Sequence, residues 1–241
     1  MPIQNLLYKN RCSVTDKIEI VIPTVGQILD NEERYYQLIS ALTSMPIDMM
    51  VQLDDIGIDF TEINEFELFL LLFTGIKDDD TSLVFGDLDL RKFRTVISPD
   101  NGHIILYDAE NDITIDRAIY NRIADAIRKI NNLEKNRKKP GNTEARDFML
   151  QRARVKMKRK KRRVEESQLE TLIVALVNTE QFKYDFETIR NLSIYQFNQS
   201  LYQIRHKIEY DNRMFGVYTG TINAKDLSQD DLNWIVRRQR M

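Results

Sequence analysis

The chain has 241 residues, 42% of them hydrophobic and 30% charged, with only 8 Gly and 5 Pro. That balance excludes a disordered or collagen-like chain and indicates a helix-rich globular protein able to bury a core. The single cysteine, Cys12, excludes an internal disulfide and a thiolate zinc cluster, and fits a reducing compartment. The net charge of -2 conceals three unlike regions: residues 1–134 carry 12 Lys/Arg against 24 Asp/Glu, residues 135–163 carry 14 against 2, and residues 164–241 carry 9 against 11.

Along the chain, the opening Met1-Pro2-Ile3-Gln4-Asn5 lacks the basic and apolar regions of a secretion signal. The longest apolar run, Phe66 to Phe73, contains Glu67 and is too short to cross a bilayer, so a soluble, cytoplasmic protein without a membrane partner is expected. Residues 17–22 are β-branched and read as a strand ended by Pro23. From Thr24, a candidate N-cap, apolar residues Val25, Ile28, Leu29, Tyr35, Leu38, Ile39 and Leu42 recur at helical spacing. Pro46 suits the first turn of a further short helix through Leu53. Asn64 caps a third, Glu65 to Phe73, closed by Gly75 and apolar around nearly its whole circumference, which requires burial or a covering partner.

Strands are expected at Leu83–Phe85, Phe93–Ile97 and His103–Tyr107, the last two joined as a hairpin through the Asn101-Gly102 turn. Ala118, Ile119, Ile123, Ala126, Ile127 and Ile130 form the apolar stripe of a helix that packs on this sheet. After Pro140-Gly141, helix formers return at Thr143 and run through the basic block as a long exposed helix into Val164-Glu165-Glu166. Leu169, Leu172, Ile173, Leu176 and Val177 form another stripe. Ser193 with Gln196 makes a capping box for a helix whose inward residues are Phe197, Leu201, Ile204 and Ile208, and Ser228 with Asp231 announces a final short helix carrying Leu232, Trp234 and Ile235. The resulting fold class is α+β and mainly helical: an α+β N-terminal domain with a β-hairpin over 1–134, a basic helical linker over 135–163, and a small all-α C-terminal domain over 164–241.

Candidate chemistry is sparse. The two histidines, His103 and His206, stand at no spacing that places either beside another imidazole or thiolate. Asp78-Asp79-Asp80 fails the calcium-hand pattern, because Leu83 stands where glycine is required and Asp89 where a bidentate glutamate is expected. Phosphate loops, dinucleotide fingerprints and Ser-centred elbows do not occur. No catalytic, metal-binding or cofactor-binding residues are assigned, and no cofactor is expected. The basic block Arg152, Arg154, Lys156, Lys158, Arg159, Lys160, Lys161, Arg162 and Arg163 admits three readings: nucleic-acid phosphates, an acidic protein partner, or attachment to the acidic part of the same chain. A helix-turn-helix using Phe186–Arg190 and the helix from Ile194, with Gln196, Gln199, Gln203 and Arg205 outward, is a weaker alternative.

Three stretches carry a family resemblance: residues 22–28 (Ile-Pro-Thr-Val-Gly-Gln-Ile), residues 44–50 (Ser-Met-Pro-Ile-Asp-Met-Met), and residues 210–222, Tyr210 to Ile222, followed by Asp231-Leu232-Asn233-Trp234. Together they resemble proteins from the tail-assembly region of tailed phages and prophages of Gram-positive bacteria. The resemblance implies a tail assembly chaperone, which coats the tape-measure protein until tube subunits polymerise round it; it brings no catalytic residues. The implied partners are tape-measure and tube proteins, with self-association and nucleic acid through residues 152–163 as further possibilities. A structural tail or head-completion role is the first alternative. Partner-binding candidates are the basic block with Phe66, Phe69, Phe73 and Trp234.

Overall fold

The computed structural model describes residues 5–99, 102–160 and 167–235. It confirms an α+β, mainly helical chain. The N-terminal strands β1 (Arg11–Ser13) and β2 (Glu19–Val21) pair antiparallel with Cys12 opposite Ile20. The expected strand at 17–22 is β2. Its partner β1 is short and polar at both ends, so it has no sequence signal.

Helices α1 (Val25–Leu29) and α2 (Glu32–Thr43) replace the single helix expected after Thr24. The break falls at Asp30-Asn31: Asn31 leaves helical dihedrals at φ -147°, and its carbonyl accepts the Tyr35 amide to restart the ladder. Thr24 caps α1 reciprocally with Gln27. A 3-10 turn, Pro46–Met49, leads into α3 (Met50–Asp55) and then α4 (Glu65–Ile76), whose capping box joins Asn64 and Glu67. Gly75 does not close α4, because it is absent from the positive-φ glycines and the helix continues to Ile76.

The strand expected at Leu83–Phe85 is instead a helical turn, α5 (Ser82–Phe85). The Asp80 carboxylate accepts the Ser82 amide, the Thr81 carbonyl accepts those of Val84 and Phe85, and Gly86 ends the turn at φ +60°. A three-residue apolar run carries no period with which to choose strand over helix. The hairpin forms as expected, from β3 (Arg94–Ile97) and β4 (Ile104–Asp108), with the unforeseen β5 (Ile113–Ile115) on the far edge of β4.

Asp116 caps α6 (Arg117–Asn131), the central element, which ends on Asn132 in the left-handed region and packs against α2, α4, β2 and β5. The basic helix α7 (Thr143–Lys160) lies against α3; its expected continuation to Glu166 lies outside the described residues. Helix α8 (Gln168–Val177) starts under Glu32 of α2, whose carboxylate accepts both the Ser167 hydroxyl (2.6 Å) and the Leu169 amide (3.1 Å). After a 3-10 turn, Thr188–Asn191, the 25-residue α9 (Ile194–Tyr218) crosses α6. The start of α9 is fastened to the start of α1: Val25 donates to Leu192 and Ile194 to Pro23, each at 2.8 Å. A Cβ on Gly26 would lie 3.1 Å from the Arg190 carbonyl oxygen, closer than ordinary van der Waals contact, so glycine eases this approach.

One core joins both ends of the chain. Leu6, Ile20, Leu42, Phe69, Tyr120 and Ile127 share it with Leu169, Ile173, Ile189, Ile194 and Phe197. A satellite cluster of Ile47, Leu53, Phe60 and Leu68 sits beside it, flanked by Met45, Met49, Met50 and by Met149 of α7. Helix α4 therefore has two buried faces, with Phe66, Phe69 and Phe73 in the main core and Leu68 and Leu72 on the satellite, which accounts for its apolar circumference. The final helix expected from Ser228 is not formed among the described residues. The Ser228–Asp231 cap bonds are present, but residues 229–232 make turns, and the nearest described helical piece is a 3-10 turn at Ala224–Asp226.

Candidate partner-binding surfaces

The basic region folds back on the acidic one. Asn142 accepts the Ala145 amide at the start of α7. One face of α7 then reaches α3 and the loop after it: Arg146 pairs with Asp59, while Arg154 donates to both Asp54 and Asp55 at 2.6 Å. Hydrogen bonds from Thr61, and then from Arg146, hold the Asp59 carboxyl below the usual range. The Asp54 and Asp55 carboxylates raise the Arg154 guanidinium, whereas Arg146 is raised first by neighbouring Asp147 and then by Asp59. Lys135 adds a pair with the half-hidden Glu65. This attachment of block to domain is one of the three readings of the basic segment. Its acidic half escapes a local sequence reading, because Asp54, Asp55 and Asp59 lie far from their arginines along the chain.

The opposite face of α7 is open. Lys156, Lys158 and Arg159 are exposed, no ion pair reaches them among the described residues, and Arg152 lies 5.6 Å over the Phe148 ring. The Lys160 side chain, with Lys161, Arg162 and Arg163, falls outside the described residues. Of the aromatic candidates, Phe66, Phe69 and Phe73 are buried, and the Phe69 ring stacks on Tyr120 at 4.6 Å. These three rings pack the interior and offer no surface to a partner. Trp234 is half exposed.

A second surface follows from α9, about 37 Å long at 1.5 Å per residue. Its inward stripe outlasts the core: relative exposure rises from 0% at Phe197 to 9% at Ile204, 40% at Ile208 and 70% at Phe215. Another side of the same helix is covered by the returning chain, residues 219–235. There the Trp234 carbonyl accepts Gln203, the Asn233 carbonyl meets His206 Nε2 at 2.7 Å, and Arg213 pairs with Asp231 at 3.2 Å. Gly216 permits that return, since a Cβ there would lie 2.6 Å from Ile222. The distal half of α9 is thus an arm that exposes Ile208 and Phe215 on the line of the inward face, with the polar Asp211 and Asn212 between them, and Tyr218 at its end is 82% exposed.

The helix-turn-helix alternative fails on this geometry. The segment before Ser193 is a 3-10 turn, Gln196 is spent on its capping box and on the Leu7 carbonyl, and Gln203 holds the return segment. Cys12 is buried, which pushes its thiol up, and among the described residues no group of His, Cys, Asp and Glu could hold a metal ion. Within Asp78–Asp80, Asp79 pairs with Arg34 and Asp80 caps Ser82. A shallow cleft of about 330 Å³ between α2, α6 and α9 contains Arg128, already committed to Thr43, Glu65 and Asp125. No helix among the described residues is long and apolar enough to cross a membrane.

No curated protein and no solved structure matches the chain. Residues 158–237, the stretch that carries α8, α9 and the returning segment, match the family model of the YomV second domain, a family of phage and prophage type.

Proposed function

We propose that this chain is a non-enzymatic, cytoplasmic protein-binding factor of phage tail morphogenesis, a tail assembly chaperone for the tape-measure protein. The observation that carries the reading is the arm of α9, where Ile208, Phe215 and Tyr218 extend past the core and stand exposed. Such a surface recognises an amphipathic helix reversibly, and the tape-measure protein is a long chain of that kind. The phage-type match over the arm and the three stretches that resemble tail-assembly proteins supply the context.

The test is where the protein is found. A chaperone co-purifies with the tape-measure protein from induced or infected cells and is absent from purified virions, and Phe215→Glu lowers that co-purification at least tenfold. Recovery in stoichiometric amount from virions instead identifies a structural tail or head-completion component. The open cations of α7 favour one further reading, contact with nucleic acid. It requires salt-sensitive DNA binding that is lost when Lys156, Lys158 and Arg159 are neutralised together.

A further inference from the structure

Helix α7 is held differently from every other long helix in the molecule. Among its described residues none is buried, and the main core contains none of its side chains. What fastens it is the half-buried Met149 in the satellite cluster and the guanidinium pairs of Arg146 and Arg154. Exposed ion pairs hold weakly and are screened by salt. On its N-terminal side, residues 133–142 form no helix or strand.

The surface that receives α7 has its own chemistry. Met45, Met49 and Met50 flank the satellite cluster together with Ile58 and Ile63, and unbranched thioethers repack around differing apolar anchors. Asp54, Asp55 and Asp59 supply carboxylates at its edge. Helix α7 matches this with arginine, methionine and arginine at positions 146, 149 and 154. We infer that this methionine-flanked, acid-rimmed surface is an exchangeable helix-binding site occupied in cis by α7, and that its partner in trans is a basic helix with one apolar anchor between Arg or Lys residues. The partner competes with α7 for the same carboxylates, so the free chain carries its own inhibitor. Exchange costs little of the fold, because the main core stays closed when α7 leaves.

The identity of the partner rests on the protein-binding function proposed above; the exchange does not. A fluorescent peptide with the sequence of residues 143–160 is titrated into the full chain and into its R146E/R154E variant, while amide hydrogen exchange follows both proteins. In the variant, α7 loses protection while α6 keeps it, and the peptide binds at least tenfold more tightly than to the wild type; adding D54K/D55K reverses the gain. Equal affinity for both proteins overturns the inference, as does binding to neither. Loss of protection in α6 along with α7, or unfolding of the whole variant, overturns it too, since α7 would then belong to the core. If peptide exchange fails while the wild-type chain still captures the tape-measure protein, the inference falls and the proposed function stands. If exchange succeeds without that capture, the reverse holds.

Discussion

Arg128 shows what a single residue does in this protein. Its side chain is 5% exposed, and the guanidinium donates to the Thr43 carbonyl at 2.6 Å, to Glu65 at 3.1 Å and to Asp125 at 3.1 Å. A buried cation of this kind fixes α6 against α2 and α4 because any other arrangement leaves it unpaired. Carboxylates act locally in the same way. Asp59, Asp80, Asp89, Asp108, Asp185 and Asp231 are each held below the ordinary range, chiefly by hydrogen bonds from Thr61, Ser82, Arg91, Asn111, Thr188 and Ser228 respectively. A depressed folded value means that their contribution is complete above the unfolded value, near 3.9, and is lost as pH falls through the folded ones. Their share of stability is therefore constant from pH 7 to about 5 and declines below about 4. Urea midpoints measured across that range check this, and a midpoint that rises on acidification contradicts it. Residue-level signals of this sort were mostly legible: the Thr24, Asn64 and Ser193 caps are local pairs written three positions apart. Arg128 was not, because its partners are dispersed between residues 43 and 125.

At the scale of elements, α4 and α9 stand for opposite cases. Two clusters claim most of the apolar residues of α4, leaving Leu71 47% exposed, so Phe66, Phe69 and Phe73 pack the interior and offer no partner surface. Phe69 is 3% exposed against Tyr120. Phe69→Ala should therefore cost about 3–5 kcal/mol, read from denaturant unfolding, and a loss below about 1 kcal/mol would mean that the stack does not fix this interface. In α9 the period announced Phe197, Leu201, Ile204 and Ile208 as inward, yet the core ends before the stripe does. Periodicity locates a face but not what lies opposite it. The same limit shows at Ser228–Asp231, where the cap bonds form and residues 229–232 make turns along α9. The basic block was conspicuous as charge, but its receiving surface on α3 was invisible, since attraction across about a hundred residues leaves no mark on local sequence.

In the whole molecule, the acidic first region and the basic middle one meet across α3 and α7, so segments of opposite charge are brought into contact. The core is likewise shared. Residues 169–204 contribute Leu169, Ile173, Leu176, Ile189, Leu192, Ile194 and Phe197 to the cluster that contains Ile20 and Ile127. A chain of residues 5–134 alone, which would lack all of these, should keep helical far-UV dichroism but lose fixed near-UV signals and bind hydrophobic dyes. A cooperative thermal transition of its own would show that region to be independent.

The bond pattern that ties Pro23 and Val25 to Leu192 and Ile194 has a consequence for biosynthesis. A ribosome emits the first of these segments well before the second, at about 5–20 residues per second, so the interior has to wait roughly ten to thirty seconds for its closing piece. During that interval nascent apolar surface stays open to misassociation, and the rate of completion is governed by a contact of very large sequence separation. This molecule finishes folding only after most of it has been translated.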